Sequence, residues 1–169
     1  GFGTGPRAAI CLPFMCVENK EGYWSRSDEH VLLRDIRAIL SHPNARIVGQ
    51  NFLFDAQYIE HWWDVRPVIW RDTALMQHTV FPMFRKALDF MVTMYSKHPR
   101  YCKGEGKHWD YSTPEEQLWE YNCKDCGYTY EVYQELENII NRVGKQEQLE
   151  FLHELYNAAL DMMRRGILV

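Results

Sequence analysis

Two short stretches hold the side chains best suited to chemistry. The first runs from Ile47 to Asp55, I-V-G-Q-N-F-L-F-D, and places Gln50, Asn51 and Asp55 after three apolar or small residues. The second is Tyr121-Asn122-Cys123-Lys124-Asp125, where a hydroxyl and a carboxylate stand four residues apart. That spacing puts both on one face of a helix. Hard cations such as Mg²⁺ take oxygen ligands, so a site for them must bring several carboxylates to one spot. Asp55 and Asp125 are the candidates. For Asp55 alone the plain alternative is a good helix start, favoured by the helix dipole, and spacing does not separate the two.

The elements that must position these residues follow from periodicity and punctuation. Ile47 to Gly49 reads as the end of a short buried strand, and Ala56 to Trp62 as a helix. Strand, turn and helix in that order is where open α/β sheets place ligands, beyond the carboxyl end of the strand. Upstream, Arg7 to Phe14 reads as a strand with Pro13 at its end or on an edge. Asp28 to Leu40 carries a helical apolar stripe, with Ser25 and Ser27 as candidate caps and Ser41-His42-Pro43-Asn44 as its stop. Val65 to Trp70 reads as a further strand. Asp72 then caps a helix reaching about Val80, and Ala87 to Tyr95 forms another.

Ser96 to Ser112 has no apolar periodicity and reads as the longest loop. Thr113-Pro114-Glu115-Glu116 is a strong helix start. That helix is expected to run through Asp125 to Val143, with Gly144 ending it and Gly127 a weak point midway. A last helix covers Glu147 to Arg165, with Leu149, Leu152, Leu155, Tyr156, Ala159 and Met162 on one stripe. Strands alternating with helices, then helices alone, make an α/β domain.

Composition narrows the field. The chain has 169 residues with 46 % hydrophobic and 14 % aromatic content, which suits one domain with a sizeable core and excludes a disordered chain. No apolar run approaches ~20 residues, so no membrane span is expected. Five Cys without a secretory signal fit a reducing, cytoplasmic setting better than a disulfide framework. A net charge of −4 argues against a free-standing protein that grips nucleic acid by bulk positive charge. Without an initiator Met, the sequence is expected to begin partway into something longer.

The ordered set of motifs carries a resemblance. N-x-x-x-D at Asn51 and Asp55, followed by Y-x-x-x-D at Tyr121 and Asp125 on a helix, resembles two of the three motifs of DnaQ-like 3′–5′ exonucleases. More narrowly, the chain resembles the proofreading domain of a bacterial or phage family-A DNA polymerase. Asp72-Thr73-Ala74-Leu75-Met76 is similar to the stretch between those motifs, and Leu88-Asp89-Phe90-Met91 to the short helix that follows it. Ala158 to Ile167 resembles the M-x-x-R-G-I segment where such polymerases enter their polymerising domain.

The resemblance implies an RNase H-like mixed sheet flanked by helices, with residues 1–144 as the exonuclease domain and 145–169 as a helical lead-in to a polymerase domain. It implies hydrolysis of the 3′-terminal nucleotide of single-stranded or frayed DNA with two Mg²⁺ or Mn²⁺ ions. Asp55 and Asp125 would be metal ligands, Tyr121 would orient the attacking water, and Asn51 and Gln50 would contact the terminal nucleotide or steady the turn. The family's D-x-E motif is missing. By the resemblance Gly1 to Phe14 matches the second strand, so the first strand is expected upstream and the chain by itself is expected to be inactive or nearly so. An exonuclease-like module that only binds or positions nucleic acid is the alternative, and a stand-alone nuclease acting on RNA is a further one.

Other signals are weaker. Cys123-x-x-Cys126, with Cys102 and His98 or His108, offers four zinc ligands, but buried small residues packing a helix explain the pair more simply. The basic run from Arg85 to His108, interleaved with Tyr95 and Tyr101 and followed by Trp109 and Tyr111, suits single-stranded DNA or a solvated loop equally. Asp72 reads as a cap rather than a ligand. His78 and His153 read as ordinary surface or half-buried residues, and the tryptophans as core or interface.

Overall fold

The computed structural model describes residues 1–19, 21–97 and 113–166. Its elements in chain order are β1 (Phe2–Gly5), β2 (Ala8–Ile10), α1 (Arg26–Leu40), β3 (Ile47–Gly49), α2 (Leu53–Trp63), β4 (Ile69–Asp72), α3 (Thr73–Val80), α4 (Leu88–Tyr95), α5 (Glu115–Val143) and α6 (Gln146–Arg165). The chain divides into two units, Gly1–Leu33 with Ala87–Val132, and Arg34–Lys86 with Tyr133–Val169. The expected loop from Ser96 lies outside the described residues from 98 onward, and with it Cys102, His98, His108 and most of the basic and aromatic run.

In the first unit, small residues let a hairpin approach a helix. β1 and β2 pair antiparallel, Phe2 opposite Ile10 and Gly3 opposite Ala9, with an irregularity before Gly5. A Cβ on Gly1 would collide with the Asn122 side chain, and one on Gly3 would lie 3.2 Å from the Cys126 Cβ. The single strand expected over Arg7 to Phe14 is therefore corrected. It is the short second arm of a hairpin and ends at Ile10, and the first arm is a glycine-rich segment whose weak strand preference hid it. Ser25 caps α1 by accepting from the Asp28 amide at 3.2 Å. Leu88, Met91, Val92 and Val132 are buried. Tyr23 meets Trp119 edge-on, and Ser96 donates to Glu131 at 2.5 Å.

α5 runs without interruption through Gly127. The weak point expected there has a packing reason, because a Cβ at this position would stand 2.8 Å from the Pro6 carbonyl oxygen.

In the second unit β3 and β4 pair parallel, with Ile47 opposite Ile69 and Gly49 opposite Asp72. The strand expected over Val65 to Trp70 begins later, at Ile69. Pro67 has no N–H for a ladder, and the Val68 amide instead donates to the Leu40 carbonyl at 2.9 Å. α6 lays Tyr156 and Leu160 on Ala56, with Phe52, Leu53, Ile69 and Leu75 around them. Leu149, Tyr156 and Leu160 are its buried residues, whereas Leu155 and Met162 of the expected stripe are exposed, as is Trp62. Gly144, at φ +66°, closes α5, and the Lys145 amide returns to the Ile140 carbonyl at 3.2 Å, the hydrogen bond of a Schellman stop. Parallel and antiparallel pairing thus both occur, in separate two-stranded sheets among the described residues. None of the described helices is long and apolar enough to cross a membrane.

Gly127→Ala tests the hairpin–helix contact. On an unobstructed helix the change stabilises by about 1 kcal/mol, while overpacking costs about 1–3 kcal/mol. The expected outcome is a net loss of stability, read as a lower denaturant midpoint with an unchanged slope.

Candidate active site

The turn after β3 is shaped by close contacts. Gly49 is needed because a Cβ there would lie 2.5 Å from the Phe52 Cβ. Asn51 sits at φ +51°, the left-handed region that Asn tolerates better than most residues. This geometry sends two successive amides to one carboxylate. Asn51 N donates to Asp72 Oδ1 at 3.1 Å, and Phe52 N to Asp72 Oδ2 at 2.7 Å. Asp72 is within reach because the parallel register places it opposite Gly49.

Asp72 also does what its position at the head of α3 predicted. Its Oδ1 accepts from Ala74 N at 2.8 Å, capping that helix. The helix carrying Asp55, α2, has Phe52 as its N-cap and no cap from that side chain, so Asp72 serves both helix starts. Asp72 is only 2 % exposed.

A histidine fixes the backbone of Asp72. Asp72 N donates to His153 Nε2 at 2.9 Å, while His153 Nδ1 faces the Leu149 carbonyl at 2.9 Å. A carbonyl only accepts, so Nδ1 carries the proton and the ring is neutral. Burial pushes the His153 pKa below its ordinary value and Arg71 pushes the same way, against the Leu149 carbonyl, Asp72 and Glu150.

Gln50 is held by the protein itself. Its amide nitrogen donates to the Lys86 carbonyl at 2.9 Å, and its oxygen accepts a short hydrogen bond from the buried Thr73 hydroxyl.

Asp55 contrasts with Asp72. It stands in the first turn of α2 and is exposed. Its carboxylate makes no hydrogen bond or ion pair to the side chain of another described residue. Partial desolvation raises its pKa, and the Asp72 charge adds to the rise. Beside them lies a cleft of about 220 Å³ lined by Asn51, Leu53, Asp72, Leu152 and Tyr156 among others. The Tyr156 hydroxyl is buried there without a hydrogen-bond partner among the described residues. Burial raises its pKa, with the Asp72 and Asp55 charges contributing.

The other pair lies in the first unit. Tyr121 and Asp125 are one turn apart on α5, each half-buried. Burial raises the thiol pKa of their neighbours Cys123 and Cys126, which favours the thiol over the thiolate that zinc needs. Among the described residues no group of three or more His, Cys, Asp or Glu is placed to hold a metal.

The structure therefore gathers Gln50, Asn51 and Asp55 with Asp72, His153 and Tyr156 in one unit, and Tyr121 with Asp125 in the other. His153 and Tyr156 were not singled out from sequence. Tyr156 read as part of an apolar stripe, and no local signal ties a histidine on the last helix to an aspartate some eighty residues earlier.

A family model described as 3′–5′ exonuclease matches residues 9–141. The matched span contains Asn51, Asp55, Tyr121 and Asp125 and ends before α6. No curated protein matches the chain.

The His153 contact has a pH signature. A histidine with a lowered folded pKa binds its proton more readily in the unfolded chain. Its contribution to stability is present above the ordinary value near ~6.5 and is lost as the pH falls through the lowered one. His153→Gln, which keeps an acceptor and removes the titration, should flatten the dependence of the denaturant midpoint between pH 7.5 and pH 5.

Proposed function

The chain belongs to the 3′–5′ exonuclease domain family of family-A DNA polymerases, and from that membership we propose that it removes the 3′-terminal nucleotide of single-stranded or frayed DNA, as the proofreading part of a polymerase. In this reading the α/β fold is of the RNase H-like type, and a polymerase domain is the partner. The observation that supports it most directly is Asp55. It is a solvent-accessible carboxylate without an ion pair to a described residue, at a helix start beyond a parallel strand and inside the matched residues.

Asp55 suits a hard divalent cation, because it is an oxygen donor in contact with solvent. We assign Asp55 and Asp125 as ligands to Mg²⁺ or Mn²⁺, supplying part of the coordination of a two-ion site. When bound, such ions neutralise charge on the phosphate and make water a nucleophile near neutral pH. Tyr121 would orient the attacking water by a hydrogen bond, since a phenol titrating near ~10 is a poor base at neutral pH. Asn51, in its left-handed turn, would stand beside the terminal nucleotide while its amide stays on Asp72.

A nucleic-acid-binding module without hydrolytic activity is the second reading. One assay separates the two. The full-length protein is mixed with a 5′-labelled single-stranded oligonucleotide and Mg²⁺ or Mn²⁺, and shortening from the 3′ end is followed. Asp55→Ala and Asp125→Ala should each slow hydrolysis by about 10²–10⁴-fold, and Tyr121→Phe by about tenfold. An Asp125→Ala protein that hydrolyses at the normal rate would refute the assignment. Binding without shortening by the unsubstituted protein would leave the binding module.

A further inference from the structure

We propose that Asp72 is a positioning residue of this site: its carboxylate sets the turn that fixes where Asp55 stands, beyond its part in capping α3. The inference rests on the exonuclease reading of Asp55.

The argument begins with what a cap requires. Capping α3 needs one oxygen on Ala74 N, and Ser, Thr or Asn supplies that as well as Asp does. Asp72 makes two further bonds that the cap does not require, from Asn51 N at 3.1 Å and Phe52 N at 2.7 Å. The second of these uses Oδ2, an oxygen that takes no part in the cap. Those two amides immediately precede α2, and Asp55 lies in its first turn. A rotation of the 51–52 peptide therefore carries the Asp55 carboxylate with it. A displacement of about 1 Å at a reacting centre can cost about 10²-fold in rate.

Asp72 is itself held from three sides, as a positioning group must be. Its amide is on His153 Nε2 at 2.9 Å, its backbone is in register with Gly49, and the next residue, Thr73, is bonded to Gln50. The carboxylate is buried and makes no salt bridge among the described residues; each hydrogen bond it is given comes from a backbone amide.

Two substitutions separate capping from positioning. Asp72→Ser keeps an oxygen for Ala74 N but is too short to span to Asn51 and Phe52. Asp72→Asn keeps Oδ1 for Asn51 and Ala74 and sets an NH₂ group against Phe52 N–H. Each is compared with the unsubstituted full-length protein at a temperature where circular dichroism shows both folded. The proposal expects kcat to fall by about 10–100-fold with the KM for the oligonucleotide little changed. It also expects Mn²⁺ affinity, measured by titration, to weaken by a similar factor, and this second loss to vanish in an Asp55→Asn background. If Asp72→Ser does not fold, Asp72→Asn decides. Unchanged kcat and Mn²⁺ affinity in a folded variant overturn the proposal, as does a loss of Mn²⁺ affinity that persists undiminished without Asp55. If the unsubstituted protein hydrolyses nothing, the exonuclease reading fails. Mn²⁺ affinity alone then judges the positioning role, a weaker value supporting it and an equal value ending it.

Discussion

The Asp72 carboxylate, buried and met by three backbone amides, is the constraint on which the second unit's architecture turns. A charge taken from water costs several kcal/mol unless donors replace the solvent. Here the donors are the free amides of two helix starts, α2 and α3, where the helix dipole also favours negative charge. One group thereby caps α3 and holds the turn that leads into α2. The cost of burial falls once, and the ends of two parallel strands become a common platform. That platform explains the surrounding choices. Glycine at 49 admits the Phe52 side chain, Asn at 51 accepts a left-handed backbone, and Thr at 73 closes the back of the turn onto Gln50.

The platform is braced from behind by the end of the chain. α6 packs on α2 through Tyr156 and Leu160 and sends His153 to the Asp72 amide. One residue earlier in β4, Arg71 is 6 % exposed and lies between Glu150 at 2.7 Å and Glu137 at 3.5 Å, with its guanidinium over the Trp70 ring. A buried cation with two carboxylates stabilises little on balance, because desolvation offsets attraction, but a misplaced strand would leave it unpaired. Farther out, Arg66 reaches Asp161 at 2.7 Å, and Arg164 reaches Glu60 at 2.8 Å, joining α6 to the chain around α2. The segment that sequence reads as a lead-in to another domain thus also supplies the second unit with core residues and with the acceptor that holds Asp72.

Around Asp55 the balance is different. Its pKa is raised by desolvation and by the charge of Asp72, and it has no side-chain ion pair among the described residues to relieve it. Tyr156 brings to the same neighbourhood a buried hydroxyl without a hydrogen-bond partner among the described residues.

Much of this was legible in the residues. The helix starts at Ser25 and Asp72, the stop at Gly144, and the strand ahead of Asn51 follow from caps, φ freedom and apolar runs, which are local properties of the chain. The ordered motifs identified the family for the same reason, since motif order is a property of sequence. What the sequence could not carry was long-range. The glycine-rich opening became a strand through pairing with β2 and contact with α5, and Trp62, Leu155 and Met162 proved exposed although their types predict burial. Asp72 could be read as the cap of its own helix from its immediate neighbours. That it also holds the two amides leading into α2, and rests on a histidine of α6, was decided by the parallel register of β3 and β4, because hydrogen bonds between segments distant in sequence depend on distances that only the packed chain creates.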